Sequence, residues 1–263
     1  FKITGTLMLK QLINSLLIIL LAGTATTSLS QTKTLNVLGM KNYPPFSFED
    51  KGKMVGIDND VMLEIGKRIG LDIKIEYRPW KRLLADLQYG DTDAAFALFF
   101  TEERNNFALY AKAEPIHGGL FYLYVKKGAE FNFDSVSDLK GKKLGLQLAF
   151  SVSDEFDNAV NSKELNILNA FSNVNNIELL LADRVEAFIG HELVTGYNLR
   201  KMEVVNQVTK LPLPISEKKA YLALSRESKT FKDKKSLLNK INQALVDMKE
   251  DGTHQKIVSK YVN

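Results

Sequence analysis

The strongest constraint on this chain is the regular alternation of strand and helix patterns along it. Residues 58–69 repeat apolar side chains at helical spacing, whereas residues 72–77 alternate between apolar and polar side chains, as a half-buried strand does. The first segments read strand, helix, strand, helix and strand over residues 35–39, 58–69, 72–77, 80–89 and 94–100. Because parallel neighbouring strands need a crossover between them, this order predicts a parallel sheet with helices on both faces.

The same pattern starts again in the second half of the chain. Strand patterns occupy residues 121–126, 143–147 and 187–189, and helix patterns occupy residues 153–160 and 174–182. A strand at residues 220–225 and helices at residues 232–248 and 254–262 complete the chain. We therefore expect an α/β protein with two similar lobes, each a mostly parallel sheet flanked by helices.

The expected lobes are discontinuous in sequence. A C-terminal segment of this kind commonly returns to the first lobe, which places residues 31–124 and 214–263 in lobe 1 and residues 125–213 in lobe 2. Two chain crossings then form a two-strand hinge. We expect them near Leu123–Val125 and near the proline-rich Leu211–Pro214.

Composition leaves room for both a core and a solvated surface. Of the 263 residues, 45% are apolar and 25% are charged, as in ordinary globular proteins. The formal net charge is +4, but the basic residues form scattered pairs such as Lys126-Lys127, so we expect no nucleic-acid partner. The sequence contains no cysteine, and therefore no disulfide, thiolate metal site or lipid-bearing cysteine.

An apolar run near the start of the sequence predicts export. Within residues 9–22 the uninterrupted apolar core, residues 16–22, is much shorter than the roughly 20 residues that span a bilayer. Small and polar residues follow as far as Ser30, which is typical of a cleavable signal peptide over residues 1–30, with Met8 as a start site and residues 1–7 upstream of it. The alternative is a single membrane anchor. With no lipid-bearing cysteine, we expect a free periplasmic protein.

Five short motifs occur in order along the two halves. They are Tyr43-Pro44-Pro45-Phe46, Gly56-Ile57-Asp58-Asn59-Asp60-Val61, Gly90-Asp91-Thr92-Asp93-Ala94, Thr101-Glu102-Glu103-Arg104 and residues 138–145, DLKGKKLG. In these motifs the chain resembles family 3 of the bacterial extracellular solute-binding proteins, the group that includes the histidine, lysine/arginine/ornithine and glutamine receptors of ABC importers. The resemblance extends from about residue 34 to the C-terminus. It implies a type II periplasmic-binding-protein fold whose lobes close over one small molecule.

The resemblance also implies partners. We expect a small-molecule ligand, an ABC-transporter permease of the inner membrane, and a monomeric binding protein. No metal, nucleotide or flavin motif is visible, and His117, His191 and His254 lie too far apart to form a sequence motif, so we expect no cofactor and no metal. In the Gly56-Ile57-Asp58 turn, we expect Asp58 or Asp60 to cap the helix that follows.

An anion-binding arginine is implied in the first lobe. Arg104 matches the family's arginine that forks onto the ligand carboxylate, a task that suits a permanently charged guanidinium with two parallel N–H donors. Thr101 is a credible N-cap for the helix that carries it. The alternative is a surface arginine that pairs with Glu102 or Glu103.

An aromatic set accompanies this arginine. Tyr43 and Trp80 follow strand ends, the edge at which open α/β sheets bind ligands, and by resemblance they pack on opposite sides of the ligand. Phe99 and Phe150 add to an apolar or aromatic enclosure. Trp80 is alternatively an ordinary core residue, and Arg82 behind it is either a further anion contact or an exposed helix position.

Three departures from the family separate this site from a standard amino-acid pocket. Residues 96–99, FALF, stand where amino-acid binders carry small hydroxyl residues. The second-lobe loop reads QLAFS, in which Gln147, Phe150 and Ser151 remain candidate ligand contacts. The acid that grips an α-ammonium group aligns with His191. A histidine that donates a hydrogen bond or is protonated favours a ligand with two acceptor ends. Alternatively, Glu192 next to it restores the contact with an ammonium group. A third possibility is that His191 is a loop residue without a role.

These residues predict a binding protein and not an enzyme. The expected ligand is a small anionic or zwitterionic molecule: an amino acid, a derivative, or a small organic acid with an apolar or aromatic body. Two alternatives stay open. One is a periplasmic enzyme that resembles cyclohexadienyl dehydratases and uses His191 and Glu192 for acid catalysis. The other is a ligand-sensing module for a membrane receptor.

Overall fold

The computed structural model describes residues 33–262 of the chain. The signal peptide expected at residues 1–30 lies outside the described residues. Among the helices of residues 33–262, none combines the length and the apolarity needed to cross a bilayer.

Strands and helices alternate through the described residues, as the sequence predicts. The strands are β1 (Thr34–Met40), β2 (Phe48–Asp50), β3 (Lys53–Val55), β4 (Asp72–Arg78), β5 (Ala94–Phe99), β6 (Ala108–Tyr110), β7 (His117–Lys126), β8 (Lys143–Gln147), β9 (Asn166–Ala170), β10 (Ala187–His191) and β11 (Val208–Ser225). The helices are α1 (Ile57–Ile69), α2 (Trp80–Tyr89), α3 (Glu102–Asn105), α4 (Asp154–Asn161), α5 (Asn173–Leu181), α6 (Glu192–Lys201), α7 (Lys234–Glu250) and α8 (Thr253–Val262). A 3₁₀ turn spans Val136–Leu139.

One mixed sheet of nine strands runs in the order β4-β1-β5-β11-β7-β10-β8-β9, with β6 paired to β11, and β2 and β3 form a separate two-stranded sheet. Strands β4, β1 and β5 are parallel at one end, and β10, β8 and β9 are parallel at the other. Between them β11 and β7 run antiparallel to each other and to their outer neighbours. The sheet therefore consists of two similar parallel halves joined by two long strands, which confirms the predicted α/β two-lobed architecture.

Three hydrophobic clusters support the two halves. The first core lies against β1 and β5, where α1 contributes the fully buried Val61, Met62 and Ile65. In the other half, the second core includes Phe156 of α4 and the third core includes Ile177 of α5. Each fully buried side chain of this size stabilises the fold by about 1.5–3 kcal/mol relative to an exposed one.

The chain passes from one half to the other along β7 and β11. Ile116, just before β7, packs in the first core, and Phe121 of β7 packs in the second core. On β11, Ala220 packs in the second core and Leu222 in the first. This packing favours a crossing between residues 116 and 121 on β7 and near residue 221 on β11, closer to the first core than the expected positions at 123–125 and 211–214. The lobe boundaries remain a prediction.

Some elements differ from the sequence prediction. Strand β11 begins at Val208, well before the expected residue 220. The sequence prediction begins too late because Pro212 and Pro214 lie within the strand, and prolines usually interrupt one. The pairing of β11 with β7 shifts register between Lys210 and Pro214 and again between Pro214 and Ser216, and such irregularities are where a strand tolerates proline. Strand β9 and helix α6 were also not predicted, since neither has a strong periodic pattern.

Gly56 fixes the entry into α1. Its φ of 133° lies in the region that side chains rarely adopt, and a Cβ there would stand 2.2 Å from the backbone oxygen of Phe46. Gly52 also has a positive φ, of 77°, but nothing stands within 4 Å of a Cβ built on it. A side chain at Gly52 would therefore cause backbone strain alone, whereas one at Gly56 would cause both strain and a collision with the backbone of Phe46.

We predict that Gly56→Ala destabilises the protein by at least about 3 kcal/mol, because backbone strain of about 1–2 kcal/mol adds to the collision with Phe46. The matched control Gly52→Ala loses only the strain contribution. Urea denaturation of the purified proteins measures both losses. Equal losses for the two variants would contradict the assigned contact.

Candidate functional site

The ends of the parallel strands meet in the cleft between the two halves. Strands β1 and β5 end at Met40 and Phe99, and strands β8 and β10 end at Gln147 and His191. Because carboxyl edges of parallel strands face ligand clefts in open α/β sheets, this is the place where the candidate residues should converge. The structure brings most of them together there.

Seven side chains enclose a small apolar space that we call the aromatic cage. Its lining consists of Met40, Tyr43, Trp80, Ala97, Phe99, Arg104 and Phe150. The Phe150 ring stands edge-on to Trp80, with centroids 5.7 Å apart, and edge-on to Tyr43 at 6.2 Å. The remaining volume is about 10 Å³, room for about one water molecule at most. Phe150, from the second half, therefore fills a cage built mainly by the first half.

Arg104 is buried and hydrogen-bonded at the edge of the cage. The Thr101 hydroxyl accepts the backbone N–H of Arg104 at 3.1 Å and caps α3, as predicted. The side chain is buried, only 5% exposed, and its guanidinium donates to the backbone oxygens of Phe99 at 3.1 Å and Ala149 at 3.0 Å. Burial lowers the pKa of Arg104, and the nearby Tyr110 and Glu103 oppose this shift. Within residues 33–262 it forms no salt bridge with Glu102 or Glu103, so the surface-arginine alternative is wrong.

The carbonyl oxygen of Ala149 links the two halves. It accepts hydrogen bonds from Trp80 Nε1 at 3.1 Å and from Arg104 Nη2 at 3.0 Å. Two donors of the first half thus converge on one oxygen of the second half. Trp80 packs in the first core and also faces the cage, so its core role and its cage position coexist.

The other candidates lie at different distances from the cage. Gln147 donates to the sulfur of Met40 at 3.6 Å, across the cleft, and Ser151 donates to Asp157 at 2.6 Å. Arg82 pairs with Asp86 at 2.6 Å and leaves 67% of its side chain exposed, while Glu192 pairs with Lys210. Neither Arg82 nor Glu192 lines the cage.

A larger polar cavity adjoins the cage on the Arg104 side. It measures about 390 Å³ and is bordered by Arg104, Phe150 and Ser151, together with the acidic Asp154 and Asp157. Because both halves contribute to its wall, it belongs to the cleft. A ligand that extends out of the cage meets charges of both signs here.

Sequence reasoning names Asp58, His117 and His191 separately, with His191 as a candidate ligand contact, but misses that they form one buried polar cluster beside the cage, which we call the hinge cluster. His117 Nδ1 lies 2.7 Å from Asp58 Oδ1, and the His117 ring stacks on Phe46 with centroids 3.8 Å apart. Asp58 makes no capping hydrogen bond at α1, so its expected capping role is wrong. The two residues are 59 positions apart, and no local pattern predicts their pairing.

His191 completes the hinge cluster from the second half. Its ring lies 5.1 Å from Phe46 and 6.5 Å from His117 between centroids, and its Nδ1 accepts the Leu193 N–H at 3.2 Å to cap α6. Burial first, and then the neighbouring His117, lower the pKa of His191 to about 3. The side chain is therefore neutral near pH 7. Within residues 33–262, no three acidic or histidine side chains form a group that could hold a metal ion.

We predict that acid weakens the fold through His191. Between the ordinary pKa of 6.5 and about 3, the unfolded chain binds a proton that native His191 does not. The free energy of unfolding must therefore fall as pH decreases through this window, by at most about 1.4 kcal/mol per pH unit from this group. His254, whose pKa burial also lowers, adds in the same direction.

The variant His191→Asn isolates this contribution, because asparagine retains a capping oxygen but does not titrate. Urea denaturation between pH 6.5 and 5, where carboxyl groups stay largely ionised, should give a smaller pH slope for the variant. An unchanged slope would remove His191 as its source.

The family match and the similar proteins of known sequence agree on one class of protein. Residues 35–263 match the family described as bacterial extracellular solute-binding proteins, family 3. A probable amino-acid-binding protein of Bacillus subtilis, YxeM, is 26% identical over 225 residues, which cover 83% of this chain and 80% of that protein. A probable histidine-binding protein of Campylobacter jejuni is 30% identical over 183 residues, which cover 66% of this chain and 70% of that protein.

Solved structures agree with the sequence relatives. An ancestral arginine-binding protein, solved bound to arginine, superposes with a TM-score of 0.73 at 27% sequence identity. The alignment covers 88% of this chain and 98% of that protein. The named ligands of these relatives differ from one another, so the relatives identify a class of protein and not one solute.

Proposed function

Because this chain belongs to family 3 of the bacterial extracellular solute-binding proteins, we propose that it captures one small carboxylate-bearing molecule between its lobes. The proposed ligand is an amino acid, an amino-acid derivative or a small organic acid with an apolar or aromatic body. Closure of the lobes over this ligand would be recognised by the permease of an ABC importer. The relatives named as amino-acid-binding proteins support this assignment.

The observation that carries the proposal is the convergence of two buried donors. Arg104 Nη2 and Trp80 Nε1 both point at one acceptor position at the edge of the aromatic cage. A carboxylate at that position accepts both N–H groups and neutralises a guanidinium that is only 5% exposed. The aromatic walls then enclose the body of the ligand, so the site combines an anion contact with an apolar enclosure.

The contacts that cross the cleft support the proposed lobe closure. The bonds from Trp80 and Arg104 to Ala149, and the contact of Gln147 with Met40, connect the two halves. Strands β7 and β11 are the covalent connections between the parallel halves of the sheet. Opening would break the cleft contacts while the two strands bend, which is the geometry of hinge closure around a ligand.

The contacts of the proposed catalytic pair favour binding over catalysis. His191 is 3% exposed, and its Nδ1 is engaged in capping α6. Glu192 is engaged with Lys210 and does not line the cage. A general acid must reach the reacting group within hydrogen-bond distance, and neither side chain is placed to do so at the cage.

The proposal includes the place of action and the assembly state. We infer a free periplasmic protein, exported through the signal peptide of residues 1–30, that works as a monomer. The family assignment and the relatives named as binding proteins support the location.

We predict that Arg104→Ala weakens binding of the cognate ligand by roughly 10- to 100-fold, because hydrogen bonds to a charged group contribute about 1.5–3 kcal/mol. A thermal-shift screen across amino acids, dipeptides and carboxylates first identifies the ligand, and titration calorimetry then measures its affinity. Arg82→Ala is the matched control, since Arg82 is exposed and paired with Asp86. If both variants bind as the unmodified protein does, Arg104 is not the anion contact.

A further inference from the structure

Two consecutive residues of the second half sit in the aromatic cage as a ligand would. The Ala149 carbonyl takes the hydrogen bonds of Arg104 and Trp80, and the Phe150 ring fills the space between Trp80 and Tyr43. We propose that Ala149-Phe150 is an internal occupant of the ligand site. The solute that displaces it carries a carboxylate next to a ring of about the size of a phenylalanine side chain. This inference rests on the proposed function and deepens it.

The cage is too small to hold the Phe150 ring and a solute at the same time. With the Phe150 ring in place, the cage retains about 10 Å³, too little for even a small ligand side chain. A solute whose body enters the cage must therefore move Phe150. The ring has somewhere to go, because Phe150 also borders the adjoining cavity of about 390 Å³.

The acceptor position decides the chemistry of the displacing solute. An amide carbonyl brings only a partial negative charge to the buried guanidinium of Arg104. A carboxylate oxygen in the same place makes charge-assisted hydrogen bonds, which are roughly twice as strong as neutral ones. An anionic solute therefore gains at this position relative to the Ala149 carbonyl, whereas a neutral or cationic one does not.

The loop that carries the pair is pinned at both ends. Leu148 N–H donates to Ala170 O at 2.9 Å, and Asp157 accepts from Ser151 Oγ at 2.6 Å and from Val152 N–H at 3.0 Å. Between these pins, Ala149 has a φ of 63°, a left-handed conformation that residues other than glycine rarely adopt. The loop thus holds its carbonyl and its aromatic ring toward the cage against a local conformational cost.

The cage wall opposite shows the same kind of strain. Ala97 of β5, which lines the cage, has a φ of 64°. Strained residues of this kind cluster at ligand sites and switch regions, where surrounding structure holds them in place. Both sides of the contact are therefore shaped around one position, which the loop occupies and a solute can take over.

An internal occupant competes with the solute. The apparent affinity is reduced by the fraction of molecules in which the cage is free. Removal of the Phe150 ring should therefore tighten binding, whereas removal of an ordinary wall of the pocket would weaken it. The sign of the effect separates the two roles.

The test compares Phe150→Ala with the unmodified protein, with L-phenylalanine and 3-phenylpropionate as probes and benzylamine as the probe without a carboxylate. We expect both carboxylates to bind Phe150→Ala at least 10-fold more tightly than the unmodified protein, and benzylamine to bind neither. Calorimetry measures affinity, and the fluorescence of Trp80, the single tryptophan of the sequence, reports on the cage. Phe171→Ala, which removes a ring that is 84% exposed, is the matched control and should change nothing.

The outcomes separate this inference from the proposed function. Weaker or equal binding of both carboxylates by Phe150→Ala overturns the internal occupant, and failure of every probe to bind either protein overturns the ligand class. If Phe150→Ala gains affinity but Phe150→Ala with Arg104→Ala keeps it, the internal occupant stands and the anion contact fails. Should Phe150→Ala not fold, Phe150→Leu replaces it, with an expected gain of about threefold and the same overturning results.

Discussion

The buried positive charge of Arg104 is the interaction on which the rest of the site depends. A guanidinium that is 5% exposed has lost most of its hydration, which is costly unless oxygen acceptors replace the water. Here the acceptors are two backbone oxygens, one from its own half and one from the second half. Neither carries a full charge. This arrangement supports the proposed anion contact, for which the Ala149 carbonyl of the second half is the substitute acceptor.

The hinge cluster lies where the two halves contact each other away from the cage. His191 of the second half packs against Phe46 and beside Gly119, where a Cβ would stand 2.2 Å from His191 Nε2. Only a residue without a side chain allows β7 to pass so close to this ring. His117, two residues earlier, is bonded to Asp58 of α1. Strand β7 is thus hydrogen-bonded to the first half at His117 and contacts His191 of the second half at Gly119.

The sequence predicts the fold well because the fold depends on local patterns. Periodicity and turn residues indicate most strands and helices, and the Thr101 cap of the Arg104 helix follows from three adjacent positions. Tyr43 and Trp80 could be placed near Arg104 because strand ends in parallel sheets share an edge. The prolines of Leu211–Pro214 suggest a break between elements, whereas the structure accommodates them as irregularities of the long strand β11, and the position of the hinge stays a prediction.

The remaining features depend on contacts that no local pattern encodes. The bond between Asp58 and His117 joins positions 59 apart, and the turn of Ala149 uses a conformation that alanine rarely adopts. Arg82 and Glu192 are candidates because of their charge and their place beside other candidates; in the structure Arg82 pairs with Asp86 and Glu192 with Lys210, and their contact with a ligand stays a prediction. Charge alone identifies what a residue can bind, and packing decides which partner it meets.

Specificity in this arrangement is a difference between two occupants of one position. A solute shifts the protein toward a closed, loaded form only by as much as its contacts exceed those of the loop that it replaces. The carboxylate binds Arg104 more strongly than the Ala149 carbonyl does because of its charge. The ring of the solute must pack on Trp80 and Tyr43 at least as well as Phe150 does, or this advantage is lost. Solutes that satisfy only one of these conditions leave the loop in place. The internal occupant thereby raises the threshold for binding, and the cage selects for charge and shape together.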